Sequence, residues 1–203
     1  MSAIRDPEAT RLRIIEVTAD EMKRHGFKAT SLSEIVSKAD ISKGALYHHF
    51  TNKLELGYAV FEEVFVTNNI SFWKELLQQD DPLQGFCQHL DSISSTMSDE
   101  ELECGCPVNS ISQEMSAEDE GFRERTLTMY MRMQSLFVEA LDVCDKQGML
   151  RADVNIERCA LFLVSSLQGI SSLMKASRDR ETISELTLAL QDYVNSMRVE
   201  AIE

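Results

Sequence analysis

The stretch Ser42–Lys53, SKGALYHHFTNK, gathers Lys43, Tyr47, His48, His49 and Lys53, with no carboxylate among them, in a chain of formal net charge −14. Ammonium, phenol and imidazole groups free of competing acids suit an acceptor-rich polyanion. Phosphate oxygens accept hydrogen bonds from such donors, and major-groove base edges offer further acceptors. Ser42, Lys43, Gly44 and Ala45 put small residues first, as a helix entering a groove by its N-terminal end requires. Ala45 would reach a thymine methyl, Lys43 a guanine or a phosphate, and Tyr47, His49 and Lys53 phosphates. Gly44 inside a helix costs about 1 kcal/mol relative to Ala, which close approach to another molecule would offset. Spacing alone also admits a plain alternative: a solvated helix face with Tyr47 half-buried in a core.

The elements that would position these residues are legible. Asp6-Pro7-Glu8 reads as a helix start, followed by an apolar row of Leu12, Ile15, Ala19 and Met22 that ends near Gly26. Ser31 to Glu34 has the spacing of a capping box, and Ile35, Val36 and Ala39 give the next helix its apolar side. Asp40-Ile41 is a short turn, Ser42 caps a third helix, and Leu46 and Phe50 face inward. Helix, short turn and helix within such a span predict a helix-turn-helix. A long helix follows over 53–78, then a boundary at Asp80-Asp81-Pro82. A polar break is expected at Ser98–Glu101, a short helix from Pro107 to about Ser116, and helices over 118–147, 153–176 and 182–197. The fold class is all-α with about nine helices: a helix-turn-helix domain over 1–52 and a larger helical domain over 53–203.

The block Gly26–Lys53, GFKATSLSEIVSKADISKGALYHHFTNK, resembles the DNA-binding domain of the TetR family of bacterial repressors. The matching positions are Gly26-Phe27, Thr30-Ser31, Ile35, Ala39, Ile41 to Gly44, Leu46-Tyr47, His49-Phe50 and Lys53. The resemblance implies a homodimer that binds a palindromic operator and releases it when a small molecule enters the C-terminal domain. Carried over by position, it implies DNA contacts from Ser33, Ser42, Lys43, Gly44, Ala45, Tyr47, His48, His49 and Lys53. Leu32 departs from the pattern, standing where hydroxyl residues often touch phosphate.

Charge is unevenly spread. Residues 1–60 carry nine Lys/Arg against eight Asp/Glu, leaving −15 for residues 61–203. An acidic body does not attract a polyanion, so nucleic-acid contact falls to the N-terminal block. In the rest of the chain, Ile156, Ala160, Leu163, Leu167, Ile170 and Met174 recur on one helix face beside Ser166 and Gly169. Ile183, Leu186, Leu190, Tyr193 and Met197 recur on another. With their symmetry mates these would form a four-helix dimer interface, although an internal core has the same pattern.

Ring and thioether side chains in the central helices, among them Phe65, Trp73, Met115, Met129 and Met133, suit the wall of an apolar pocket and equally an ordinary core. Cys106 opens a short helix, where free N–H groups favour a thiolate while Glu101 and Glu103 oppose it. A Gly-Cys segment of this kind resembles one found in a branch of the family in which that cysteine senses electrophiles or oxidants. The other reading is a buried small residue.

Five scattered cysteines give no disulfide framework, and Cys104-Gly-Cys106 lacks zinc-ligand spacing. No cofactor or metal is expected, nor a membrane span, and the chain reads as cytoplasmic. Phosphate loops and the nucleophile and zinc motifs of hydrolases are missing from the sequence. An enzyme using Cys106 with His89, were folding to join them, and an acidic interaction protein are the alternatives to a DNA-binding regulator with an apolar or electrophilic inducer.

Overall fold

The computed structural model describes residues 6–199, and these divide into two compact units. The first runs up to Asn68 and takes in Ser110–Thr126; the second comprises Asn69–Asn109 and the chain from Leu127 onward. The N-terminal unit therefore extends past the boundary at 52 read from the sequence and recruits a second segment.

The first unit is built on α1 (Pro7–Ala29), α2 (Leu32–Lys38), α3 (Lys43–His49) and α4 (Lys53–Val60). Asp6 caps α1 by accepting the amide of Glu8, with Pro7 in the first turn. The inward row of α1 is Ile14, Ile15, Ala19 and Met22, whereas Leu12, expected in that row, is 54% exposed. At Gly26 the backbone turns to φ 81° and ψ 171°, a region only glycine occupies comfortably. Phe27 returns to the core against Phe122, ring centroids 4.9 Å apart. Gly57 is needed on α4 because any side chain there would collide with the Phe27 ring.

The helix-turn-helix forms as expected, with one difference in its caps. Ser31 precedes α2 but bonds Ser33 Oγ rather than a backbone amide, so the capping box does not close. Lys38 Nζ donates to the buried Glu21 carboxylate at 2.6 Å and ties α2 to α1. Asp40, at φ 53°, makes the turn. Ser42 caps α3 by accepting the amide of Ala45 at 3.1 Å.

The long helix is continuous over 53–77, as α4, a π-helical stretch Phe61–Val66 and α5 (Thr67–Leu77). In the second unit, Asp81 and Pro82 open α6 (Pro82–Thr96). The expected polar break at Ser98 is instead the start of α7 (Asp99–Cys104). Ser98 and Glu101 complete a reciprocal capping box there, so the polar run initiates a helix rather than ending one. Then follow α8 (Pro107–Met115), α9 (Glu120–Lys146), α10 (Ile156–Ser177) and α11 (Arg180–Ser196). A lone antiparallel bridge between Leu150 and Arg198 is the sole strand-like pairing among the described residues. Helix α10 is long and apolar by composition, but it packs along α11 with Ala160, Leu163, Val164 and Leu167 buried.

Candidate nucleic-acid interface and ligand cavity

Helix α3 carries two faces. Leu46 and Phe50 are buried at 1% and 2% exposure, while Ser42, Lys43, Gly44, Tyr47 and His48 stand in solvent. A Cβ at Gly44 would meet only Ser42 Oγ, at 3.8 Å, so nothing inside the chain requires glycine there. Ala45 and His49 are half-buried, and the His49 ring lies 5.2 Å from that of His48. Ser33 is exposed on α2, and Leu32 is half-buried. Lys53 is placed differently from the rest. Its ammonium donates to the Lys28 carbonyl at 3.0 Å and lies 4.7 Å above the Phe27 ring. That desolvation pushes its pKa below the usual lysine value.

In the second unit a cavity of about 350 Å³ opens between α5, α6, α7, α9 and α10. Of the six sensing residues read from the sequence, Trp73, Met133 and Cys106 line it. Phe65, Met115 and Met129 do not; they are buried packing residues, Phe65 and Met115 in the first unit. The five ring and thioether residues look alike in the sequence because a core wall and a pocket wall use the same residue types.

Phe72, Trp73 and His89 form a ring cluster on one side, with Phe72 in contact with His89 at 4.8 Å and Trp73 at 5.1 Å. Burial pushes His89 below its usual pKa, so the imidazole is neutral at pH 7. Met133, Leu167, Ile170 and Met174 supply the facing side. Asn69, Gln168 and His89 were not singled out as ligand residues; a polar amide on a helix gives no sign in the sequence of facing a cavity.

Cys106 sits where α8 begins. Its amide donates to Ser171 Oγ at 3.3 Å. Burial pushes the thiol above its usual pKa, and the amides of Asn109 and Val108 pull it partly back. His89 lines the same cavity, but no hydrogen bond joins it to Cys106 among the described residues.

Residues expected at a dimer interface are split by the fold. Ala160 and Leu163 are wholly buried, and Leu167, Ile170 and Leu190 nearly so, inside a single chain; Ile156, Leu186 and Tyr193 are half-exposed. The regular row on α10 is therefore its inward face. A second row points out: Leu161, Phe162 and Leu173, at 56%, 47% and 49% exposure.

Comparison with known proteins agrees with both halves of this description. Residues 14–60 match the family described as "Bacterial regulatory proteins, tetR family", and residues 70–190 match "Tetracyclin repressor-like, C-terminal domain". An uncharacterized HTH-type transcriptional regulator from the lacX 3' region of Lactococcus lactis subsp. lactis is 27% identical over 84% of this chain and 85% of its own length. The HTH-type transcriptional repressor DhaR of Mycobacterium sp. is 24% identical over 92% of this chain and 93% of its own. Among solved structures, reduced E. coli NemR superposes with a TM-score of 0.80 at 21% identity, covering 94% of this chain and 97% of that one. A TetR-family regulator from Cytophaga hutchinsonii superposes at 0.85 with 17% identity, covering 98% and 100%. With both domain signatures in order and this fold around them, the chain belongs to the TetR family of DNA-binding bacterial transcriptional regulators.

Proposed function

We propose that the chain is a repressor that binds a palindromic operator as a homodimer and lets go when a small molecule occupies the cavity lined by Trp73, Cys106 and Met133. The observation that carries this reading is the face of α3. Lys43, Gly44, Tyr47 and His48 are exposed with no acid among them, on a helix held in place by Leu46 and Phe50. Relatives named as repressors, DhaR and the probable acrEF/envCD operon repressor of E. coli, support the direction of control. Two copies of the face, about 34–36 Å apart, would meet successive turns of one groove. The cytoplasm follows as the compartment.

Fluorescence anisotropy with DNA from upstream of the gene tests the reading. Specific binding that falls steeply as salt rises, over a weaker background on random DNA, is the expected result. Equal affinity for both DNAs would sink it.

A second reading makes Cys106 a sensor of electrophiles or oxidants, favoured by a thiol that lines the cavity and has the α8 amides of Val108 and Asn109 beside it. Since burial raises its pKa, alkylation of Cys106 should be slow at neutral pH and climb as pH approaches and passes 9. Peptide mass mapping follows the rate, and a Cys106→Ser protein that still releases operator to every electrophile removes the thiol from the mechanism.

A further inference from the structure

Two orphaned atoms, on side chains that line the cavity, carry information about its occupant. Asn69 Oδ1 on α5 and Gln168 Oε1 on α10 are both closed off from solvent, and neither has a hydrogen-bond partner among the described residues. Both residues line the cavity. A buried amide oxygen left without a donor costs about 1–3 kcal/mol, and a carbonyl oxygen is satisfied only by an N–H or O–H group.

The rest of the lining narrows the choice. The ring cluster of Phe72, Trp73 and His89 offers edges and faces to another ring. Glu101 is the one charged residue in the lining; no Lys or Arg lines the cavity, and His89 is held neutral. An anionic ligand would thus enter without a charged partner in the wall, at a desolvation cost.

We infer that the cavity is built for an aromatic compound without negative charge that donates hydrogen bonds, a phenol or an aromatic amine, to Asn69 Oδ1 and Gln168 Oε1. This rests on the reading of the cavity as the sensor site and specifies the chemistry the site selects. Aromatic carboxylates and rings carrying only acceptors are discriminated against. The discrimination follows from the acceptors in the wall, because a ring without a donor leaves them as orphaned as before.

The chain has one tryptophan, Trp73, so its fluorescence reports on this cavity alone. Titration of the full chain with para-propylphenol, para-propylanisole and para-propylbenzoate compares a donor, its methylated isostere and an anion on one scaffold. Quenching by the phenol at an affinity at least about tenfold above that of the anisole is expected, the worth of roughly 1.4 kcal/mol, with the benzoate weakest. Gln168→Leu and Asn69→Leu should each shrink the preference for phenol over anisole, whatever either change does to the affinity for anisole itself.

Wild-type protein that binds anisole as tightly as phenol, that prefers the benzoate, or that is quenched by none of the three overturns the inference. The titration contains no DNA. A phenol preference without any effect on operator binding would leave this inference standing and remove release by cavity occupancy from the proposed function. Operator release by all three probes alike would do the reverse.

Discussion

The Glu114 carboxylate accepts the backbone N–H of Phe27 at 2.7 Å, and its other oxygen accepts that of Lys28 at 2.8 Å. These amides follow the turn at Gly26, where a Cβ would lie 2.8 Å from Glu114 Oε2. Glycine and carboxylate thus define one device: the first clears the space and adopts the positive φ, the second satisfies the amides that the turn frees. Helix α8, which supplies Glu114, also begins at the cavity-lining Cys106. Glu114→Ala should cost about 1.5–3 kcal/mol, as expected for hydrogen bonds to a charged acceptor. Gly26→Ala should cost about 1–3 kcal/mol from backbone strain. Thermal melts should show the double variant less destabilised than the sum, each kcal/mol being worth about 2–4 °C in a chain of this size. Strict additivity would mean that the two residues act separately.

The two faces of α3 predict opposite phenotypes. Tyr47 is 52% exposed and Lys43 stands in solvent, so alanine at either should leave the melting temperature unchanged. Each should weaken specific DNA binding by about 1–3 kcal/mol, and a lost phosphate contact should lower the salt slope by about one. Leu46→Ala, at 1% exposure, should instead cost about 2–5 kcal/mol of stability. Anisotropy and melting curves on the same preparations separate the cases, and normal operator affinity in both surface variants would contradict the assigned face.

What the sequence revealed, and what it concealed, follows from the range of the interactions. The caps at Asp6 and Ser42 and the inward Leu46 and Phe50 are local, within one or two helical turns, and spacing exposes them. The capping box at Ser98 and Glu101 was equally local; its acids resembled a solvated break, yet they satisfy a helix start. Long-range partners left no such trace. Glu114 lies 87 residues from Phe27, and Lys53 turns inward because its partners are a carbonyl and a ring in the turn after Gly26. The cavity shows the same limit: Trp73 and Met129 are alike as sequence, and only packing sends one to the lumen and the other to the core. On α10 the row at three- and four-residue steps was real but marked the core, while the exposed row beside it went unnoticed.

That outward row offers a direct test of assembly. Leu173 borders a groove of about 290 Å³ between α10 and α11, lined also by Phe162, Gly169, Ala189 and Tyr193. Contiguous exposed apolar surface of this kind marks an interaction site, and a two-fold pairing of the two helices would bury it as a four-helix bundle. Leu173→Glu should give a folded monomer in sedimentation equilibrium, since the charge occupies a solvent-facing position in the isolated chain. Leu163→Ala should lower the melting temperature instead, because Leu163 is wholly buried within one chain. A Leu173→Glu protein that sediments as the wild type does would place any interface elsewhere.

Acid sensitivity should trace in part to Asp81 and Arg198. The Asp81 oxygens accept from both terminal guanidinium nitrogens at 2.8 and 2.9 Å, and Asp81 also caps α6 through the amide of Gln84 at 2.9 Å. The Arg198 hydrogen bonds, partly offset by burial, hold the Asp81 pKa below its ordinary value of 3.8. A carboxyl depressed in the folded state contributes its full stability above the unfolded pKa. It loses that contribution as pH falls through the folded pKa. Asp81→Asn keeps a good cap but loses the ion pair, so it should be less stable than wild type by about 1 kcal/mol at neutral pH. The gap should close as pH drops below 3.8, where the wild-type carboxyl takes up its proton. Urea midpoints measured across that range check the sign, and a gap that widens toward acid would refute the pairing as the source of stability.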